Sequence, residues 1–208
     1  MKLRGFVPIV ISVVVASALV GVGPIATSDA APAPPLDLAR PRIVGAGTDI
    51  DVVRTRLGRE PYATIFRQLD ARAHQADAIP LDDHTIGSER TKAKSTKDLA
   101  FGYRLDRTVV NGTIAPFPSP AERTAIGDVV RGRLLAMYTR SRLAVPAPFG
   151  GTDRDINTSE ELLQYASAYD AMVAAGYDFG SAEPTIRANL TDLASELYRN
   201  YIDPSTAS

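Results

Sequence analysis

Two amphipathic helices joined by a short loop are predicted between residues 158 and 201, and they constrain the fold more than any other stretch. The apolar positions that recur every three or four residues are Leu162, Ala166, Tyr169 and Val173 in the first helix, and Ile186, Leu190, Leu193 and Leu197 in the second. Thr158 and Glu161 form a T-x-x-E capping box at the predicted start, and Gly176 provides a C-terminal stop. Because so short a loop makes consecutive helices antiparallel, the stretch predicts an α/α-hairpin.

Two short helices are predicted upstream, each bounded by turn or capping residues. The first begins at Thr48 and ends before Gly58. Pro61 opens the second, since proline in the first turn of a helix removes no intrahelical hydrogen bond. The residues predicted to form the buried stripe of this second helix are Ile65, Leu69 and Ala73 or Ala76.

Two longer helices are predicted between these and the hairpin. A polar helix begins at Ser88 or Glu89 and becomes apolar only from Leu99 onward. The next is opened by a second capping box, Ser119 to Glu122, with Pro120 at the first helical position. The residues predicted for its apolar face are Ile126, Val130, Leu134 and Met137. About six helices with short connections predict an all-α fold built from stacked antiparallel helix hairpins.

The least regular internal stretch is residues 106–120. Asn111-Gly112 is a tight-turn signal, and the β-branched residues on either side of it favour a small β-hairpin. The alternative for this stretch is an irregular loop with Phe117 inserted into the core.

Residues 1–30 predict an export signal. Lys2 and Arg4 precede an uncharged run, and the small residues that follow place cleavage after Ala30. The alternative is an uncleaved membrane anchor, which the prolines and glycines within the run disfavour. We therefore expect a protein that is secreted to the cell exterior or the periplasm.

The expected mature chain divides into three parts. Residues 31–44 are a proline-rich linker, residues 45–203 form the helical-hairpin domain, and residues 204–208 are a tail. Because the chain has no cysteine, its stability must come from packing, without disulfides.

The net charge argues against nucleic acid as a partner. Removing Lys2, Arg4 and Asp29 with the signal leaves 21 basic and 23 acidic side chains of the original 23 and 24, a net charge of −2. After cleavage no membrane partner is expected either, and no cofactor or metal is predicted.

Two stretches carry a resemblance to a known family. The run ELLQYASAYDAMVAAGYDF, followed by a helix ending in LYRNY, resembles the N-terminal helical region of secreted polysaccharide lyases of the heparinase II/III and alginate-lyase type. The segment that begins at Arg40 is similar to the opening of those enzymes, with Pro41-Arg42-Ile43 and then Glu60-Pro61-Tyr62. These two pieces lie at either end of residues 40–201.

The resemblance implies a fold and a chemistry. In that family stacked hairpins close into an (α/α) toroid, so this chain, with about three hairpins, corresponds to the front part of a toroid whose other half or partner domain is missing. The family cleaves acidic polysaccharides by β-elimination. A polar group offsets the uronate charge, and a tyrosine or histidine removes the C5 proton. No Asn-His pair of the kind that the family uses is present, so the catalytic residues are not identified from this sequence.

Tyrosines of the hairpin are the first candidate substrate-binding residues. Tyr165 and Tyr169 stand at i and i+4 on one helix face, with Asp170 beside them and Tyr177 in the following loop. Such rings can form the floor of a sugar-binding cleft. The alternative is that they pack in the core with their hydroxyls satisfied internally.

Basic residues of the polar helix are the second candidate set. Arg90, Lys94 and Lys97 follow at i, i+4 and i+7 and form one basic face that can hold carboxylates or sulfates of an acidic polysaccharide. A solvated helix face is the alternative.

The two histidines offer a third set. His74 has Asp70 and Asp77 at i−4 and i+3, which predicts either a general base or a surface histidine supported by carboxylates. Asp82-Asp83-His84 is interpreted as a loop, because adjacent residues rarely chelate one metal ion.

The sequence thus predicts an exported helical protein that binds or helps to degrade an acidic polysaccharide, without the full catalytic set of a lyase. The alternatives are a non-catalytic extracellular module that binds carbohydrate or protein, and a truncated fragment with no function of its own.

Overall fold

The computed structural model describes residues 50–137 and 152–201, which lie within one compact unit, Asp37–Ser208. The α-helices in this part of the chain are α1 Ile50–Arg56, α2 Tyr62–Ala73, α3 Ile86–Leu105, α4 Pro120–Ala136, α5 Thr152–Ala174 and α6 Glu183–Tyr201. Strands β1 Thr108–Val110 and β2 Thr113–Ala115 form a small antiparallel hairpin. The all-α prediction is therefore confirmed for the described residues. The expected signal, linker and tail lie outside them.

Local sequence signals set several element boundaries as predicted. Ser119 caps α4 by accepting a hydrogen bond from the Glu122 backbone N–H at 3.2 Å. Asn111 and Gly112 both have positive φ, 50° and 77°, which a tight β-hairpin turn requires. Gly176, with φ of 72°, ends α5, and the Tyr177 N–H closes the helix by donating to the Met172 carbonyl.

Two predicted details are wrong. Helix α5 begins at Thr152, so Thr158 and Glu161 are buried inside the helix and do not form its N-terminal capping box. In α2, Ile65 is 55% exposed, and the buried residues include Phe66 in its place. Phe66 packs with Leu57 and Leu105 in a small apolar cluster, and burying this larger ring stabilises the observed rotation of the helix.

Helix α3 lies at the centre and contacts α1, α2, α4 and α5. Its sequence predicts a polar helix, yet most of its residues are buried. Ala93 and Ala100 are fully buried, and such small side chains let neighbouring helices approach closely. The polar side chains of α3 are therefore enclosed by the helices around it and must find partners there.

The two long helices α3 and α5 run in the same direction. Arg90 and Lys94, in the first half of α3, pair with Glu160 in the first half of α5. Arg104, near the end of α3, lies close enough to Asp170, near the end of α5, to feel its charge. Helix α4 packs on both α3 and α5 and also contacts α6.

The α5–α6 hairpin presents some apolar side chains at the surface. A groove there is lined by Leu162, Leu190, Ala194 and Tyr198. Tyr198 and the nearby Leu163 are each more than half exposed.

Candidate functional site

The candidate tyrosines reach carboxylates on three different helices. Tyr165 donates to Glu89 of α3 at 3.2 Å, and Tyr169 donates to Glu183 of α6 at 2.8 Å. Tyr177 donates to Asp128 of α4 at 3.0 Å. Although Tyr165 and Tyr169 are four residues apart, their hydroxyl groups contact different elements. They therefore link the helices and do not form one platform.

Tyr165 is not available as a sugar-binding residue. Its side chain is only 1% exposed, so it cannot stack on a polysaccharide. Burial, followed by the charge of Glu89, raises the pKa of its hydroxyl well above the usual value. Tyr165 instead contributes to the core between α3 and α5.

The rings of Tyr169 and Tyr177 belong to an aromatic cluster. Tyr169 stacks on Phe179 at 5.4 Å between ring centroids, and Tyr177 meets Phe179 edge-on at 5.0 Å. Tyr103 of α3 packs edge-on against Tyr177 at 5.7 Å. These geometries are the ones that aromatic pairs favour in protein cores. The cluster joins α3 and α5 to the loop that follows α5.

Asp170 of α5 lies close to the buried positive charge of Arg104 on α3. Burial lowers the pKa of the Arg104 guanidinium, and the negative charge of Asp170 opposes that effect. Asp170 is half buried and helps Arg104 to remain charged in its buried position.

We expect Tyr169 and Tyr177 to remain protonated to unusually high pH. Burial, and then the hydrogen bond to a carboxylate, raises the pKa of each hydroxyl to about 12. Because the folded value lies above that of an unfolded tyrosine, about 10, these groups stabilise the fold below pH 10. The contribution is lost as the pH rises towards 12.

An ultraviolet titration of tyrosinate absorbance checks this, with circular dichroism to define the range in which the fold persists. Tyr169→Phe and Tyr177→Phe should each remove a component that ionises near pH 12. Loss of a component that ionises near pH 10 would contradict the structural role.

The basic candidates lie on the surface between α3 and α5. Arg90 Nη2 donates to Glu160 Oε2 at 2.9 Å, and Lys94 Nζ lies 2.8 Å from Glu160 Oε1. The side chains of Arg90 and Lys94 are 42% and 38% exposed. Lys94 and then Arg90 lower the pKa of the Glu160 carboxyl, so it is ionised at neutral pH. The predicted face is present, but it includes an acidic residue from α5.

Lys97 extends this face by one turn. Its Nζ is 3.7 Å from Asp98 Oδ1, and Arg72 of α2 donates to the other oxygen of Asp98. The hydrogen bond to Asp98 raises the pKa of the Arg72 guanidinium. Asp98 is fully buried and hydrogen-bonds to Arg72, while Lys97 lies too far from its other oxygen for a hydrogen bond.

A buried polar cluster that the sequence analysis missed lies at the start of α3. Glu89 and Lys92 are each 2% exposed, and Lys92 Nζ is 2.7 Å from Glu89 Oε1. His84 Nδ1 is also 2.7 Å from that oxygen, while Tyr165 bonds the other one. Lys92 further donates to the carbonyls of Leu81 and Asp83 at 3.0 and 2.7 Å. The cluster thus holds the loop before α3 on both α3 and α5.

Only a weak signal for this cluster exists in the sequence. Glu89 and Lys92 stand at i and i+3, a spacing that allows a helical ion pair, on a helix with no continuous apolar face. Such a pair is far more often solvated, so its burial depends on what packs around it.

The two histidines and the aspartates near them in sequence have separate partners. His74 Nδ1 is 2.7 Å from Asp77 Oδ2 on the surface, the supported arrangement that the spacing allows. Asp70 instead accepts hydrogen bonds from the Val109 N–H and the Thr108 hydroxyl, and so ties α2 to β1. Asp83 accepts from Ser88 and from its own loop.

Comparisons with family models, with curated proteins and with solved structures found no match to this chain. Within residues 50–137 and 152–201, no helix is both long enough and apolar enough to span a bilayer. In the same part of the chain, no three acidic or histidine side chains converge as metal ligands would.

Proposed function

We propose that this chain is an exported protein of the polysaccharide-lyase toroid type that binds an acidic polysaccharide through Arg90 and Lys94 of α3, without carrying out elimination by itself. The observation that carries the proposal is the geometry of these two cations. They lie four residues apart, both are partly exposed, and they share one carboxylate.

The charge balance of this surface favours an anionic ligand. The cations are Arg90, Lys94, Lys97 and Arg72, and the carboxylates that they contact are Glu160 and Asp98. Arg90 and Lys94 share the one carboxylate of Glu160, so a surplus of one positive charge remains at this contact. Carboxylates and sulfates of a polysaccharide are suitable partners for this surplus, because Arg and Lys bind such groups with charge-assisted hydrogen bonds.

The arrangement of the helices supports the toroid part of the proposal. Helices α3 and α5 run in the same direction, and each is followed by a helix that packs back on it. Hairpins stacked in series produce this repetition. The apolar groove on the outer side of α5 and α6 is consistent with a further hairpin or a partner domain covering that side.

Binding is favoured over elimination because the hydroxyls of Tyr169 and Tyr177 are protonated at neutral pH and so cannot act as the base. The pKa values of Tyr169 and Tyr177 are raised to about 12, and their hydroxyls already donate to Glu183 and Asp128. A tyrosine that removes a proton at neutral pH needs a pKa shifted towards neutrality. The pKa values of Tyr169 and Tyr177 are shifted in the opposite direction, away from neutrality.

We expect the double variant Arg90→Gln/Lys94→Gln to bind heparin and alginate about tenfold more weakly than the unaltered chain. Two partly exposed ion pairs of roughly 0.5–1 kcal/mol each correspond to that factor. Isothermal titration calorimetry at low ionic strength measures the effect, and binding of both proteins should weaken with added salt.

The matched control is Arg67→Gln/Arg187→Gln, which removes two exposed cations that pair with glutamates elsewhere. Its affinity should fall much less than that of the first double variant. If the two double variants bind equally, binding at Arg90 and Lys94 is refuted. Release of unsaturated sugar ends, followed by ultraviolet absorbance, would instead show that the chain carries out elimination.

A further inference from the structure

Glu160 occupies the centre of the proposed binding surface. Each of its two carboxylate oxygens contacts a different cation, Lys94 at 2.8 Å and Arg90 at 2.9 Å. Both distances are those of charge-assisted hydrogen bonds. Glu160 is carried by α5 and its partners by α3, so the contact spans the two parallel helices.

Carboxylates and sulfates of a ligand bind Arg and Lys through the same kind of charge-assisted hydrogen bond. A uronate carboxylate or a sulfate held by Arg90 and Lys94 would place its oxygens where the oxygens of Glu160 now lie. Glu160 and a ligand anion therefore cannot take both cations at once. The side chain of Glu160 is 30% exposed, so it can move into solvent without leaving a charge buried in the core.

The contact with Glu160 uses only one nitrogen of the Arg90 guanidinium. Glu160 accepts from Nη2, while the buried Nε–H of Arg90 has no hydrogen-bond partner among the described residues. A guanidinium binds carboxylate or sulfate best in a bidentate manner, through two of its N–H groups. Because this Nε–H is buried, a ligand must bind Arg90 through its terminal N–H groups, and Glu160 already occupies one of them.

We propose that Glu160 masks the basic pair, so that an acidic polysaccharide binds Arg90 and Lys94 only by displacing the Glu160 carboxylate. The inference rests on the proposed function, since it concerns the same surface. Glu160 makes this surface selective for ligands of high charge density. A ligand with isolated carboxylates only exchanges the Glu160 carboxylate for one of its own. A polymer with many adjacent anions also gains from repeated contacts.

Glu160→Gln tests the mask directly. It keeps the size of the side chain, removes the charge that competes with the ligand, and is expected to raise the affinity for heparin about five- to tenfold. The control is Glu60→Gln, which makes the same change in net charge at another exposed glutamate paired with an arginine, Arg67. It should change the affinity by less than twofold.

Combined variants test the masking by Glu160 and the binding at Arg90 and Lys94 independently. Adding Arg90→Gln/Lys94→Gln to Glu160→Gln should abolish the gain, because the released cations are gone. If the double variant alone weakens binding but Glu160→Gln does not strengthen it, the mask is refuted and the proposed surface stands. If neither change alters heparin binding, both are refuted. Calorimetry of all variants after a circular dichroism check provides the readout.

Discussion

Replacing Lys92 with methionine is expected to lower the free energy of unfolding by about 3–5 kcal/mol, the usual cost of removing one partner from a buried ion pair. The substitution keeps an apolar stem of similar size but leaves Glu89 buried with one cation fewer. It also removes the donor to the carbonyls of Leu81 and Asp83. Since domains are stable by roughly 5–15 kcal/mol, this is a large fraction of the total.

Urea unfolding followed by circular dichroism measures the loss. The matched control is Lys97→Met on the same helix, whose side chain is about one third exposed and 3.7 Å from Asp98. It should cost less than about 1 kcal/mol. Glu89→Gln in the Lys92→Met background should recover part of the stability, because it removes the uncompensated charge. Equal losses for the two lysine variants would refute a structural role for the buried cluster.

The second large effect is expected at Gly127 of α4. A Cβ atom there would lie 2.4 Å from Tyr177 Cε2 and 3.0 Å from Cδ2, so the ring would have to move. The movement would disturb the contacts of Tyr177 with Tyr103 and Phe179 and its hydrogen bond to Asp128. Overpacking costs roughly 1–3 kcal/mol, while the better helix propensity of alanine returns up to about 1 kcal/mol. We therefore expect Gly127→Ala to destabilise by roughly 1–2 kcal/mol.

Gly132 is the matched control on the same helix. Its Cβ would meet only Leu81 Cδ1, at 4.0 Å, so Gly132→Ala should stabilise the protein by up to about 1 kcal/mol. Thermal unfolding should separate the two variants, with opposite shifts in Tm. The cost of Gly127→Ala should also fall in a Tyr177→Ala background, where the ring is absent. Destabilisation of the same size at both glycines would contradict the close contact with Tyr177.

The candidate site was predicted unevenly from the sequence. The i, i+4 spacing placed Arg90 and Lys94 on one surface, because that spacing follows from helix geometry alone. The same spacing did not keep Tyr165 and Tyr169 together. Tyr165 reaches Glu89, which is 76 residues away in the chain, and no local rule predicts such a partner. Glu160, which completes the basic surface, is 70 residues from Arg90 and was missed for the same reason.

The sequence by itself determined the helical class and several element ends. Ser119, Gly176 and the Asn111-Gly112 turn act on backbone groups within a few residues, so their effects are local. Only the tertiary structure decided which faces are covered. Phe66 is buried in place of Ile65, and the polar helix α3 became the centre of the fold. The reason is that periodicity shows where apolar side chains point, whereas burial depends on which helices pack against them.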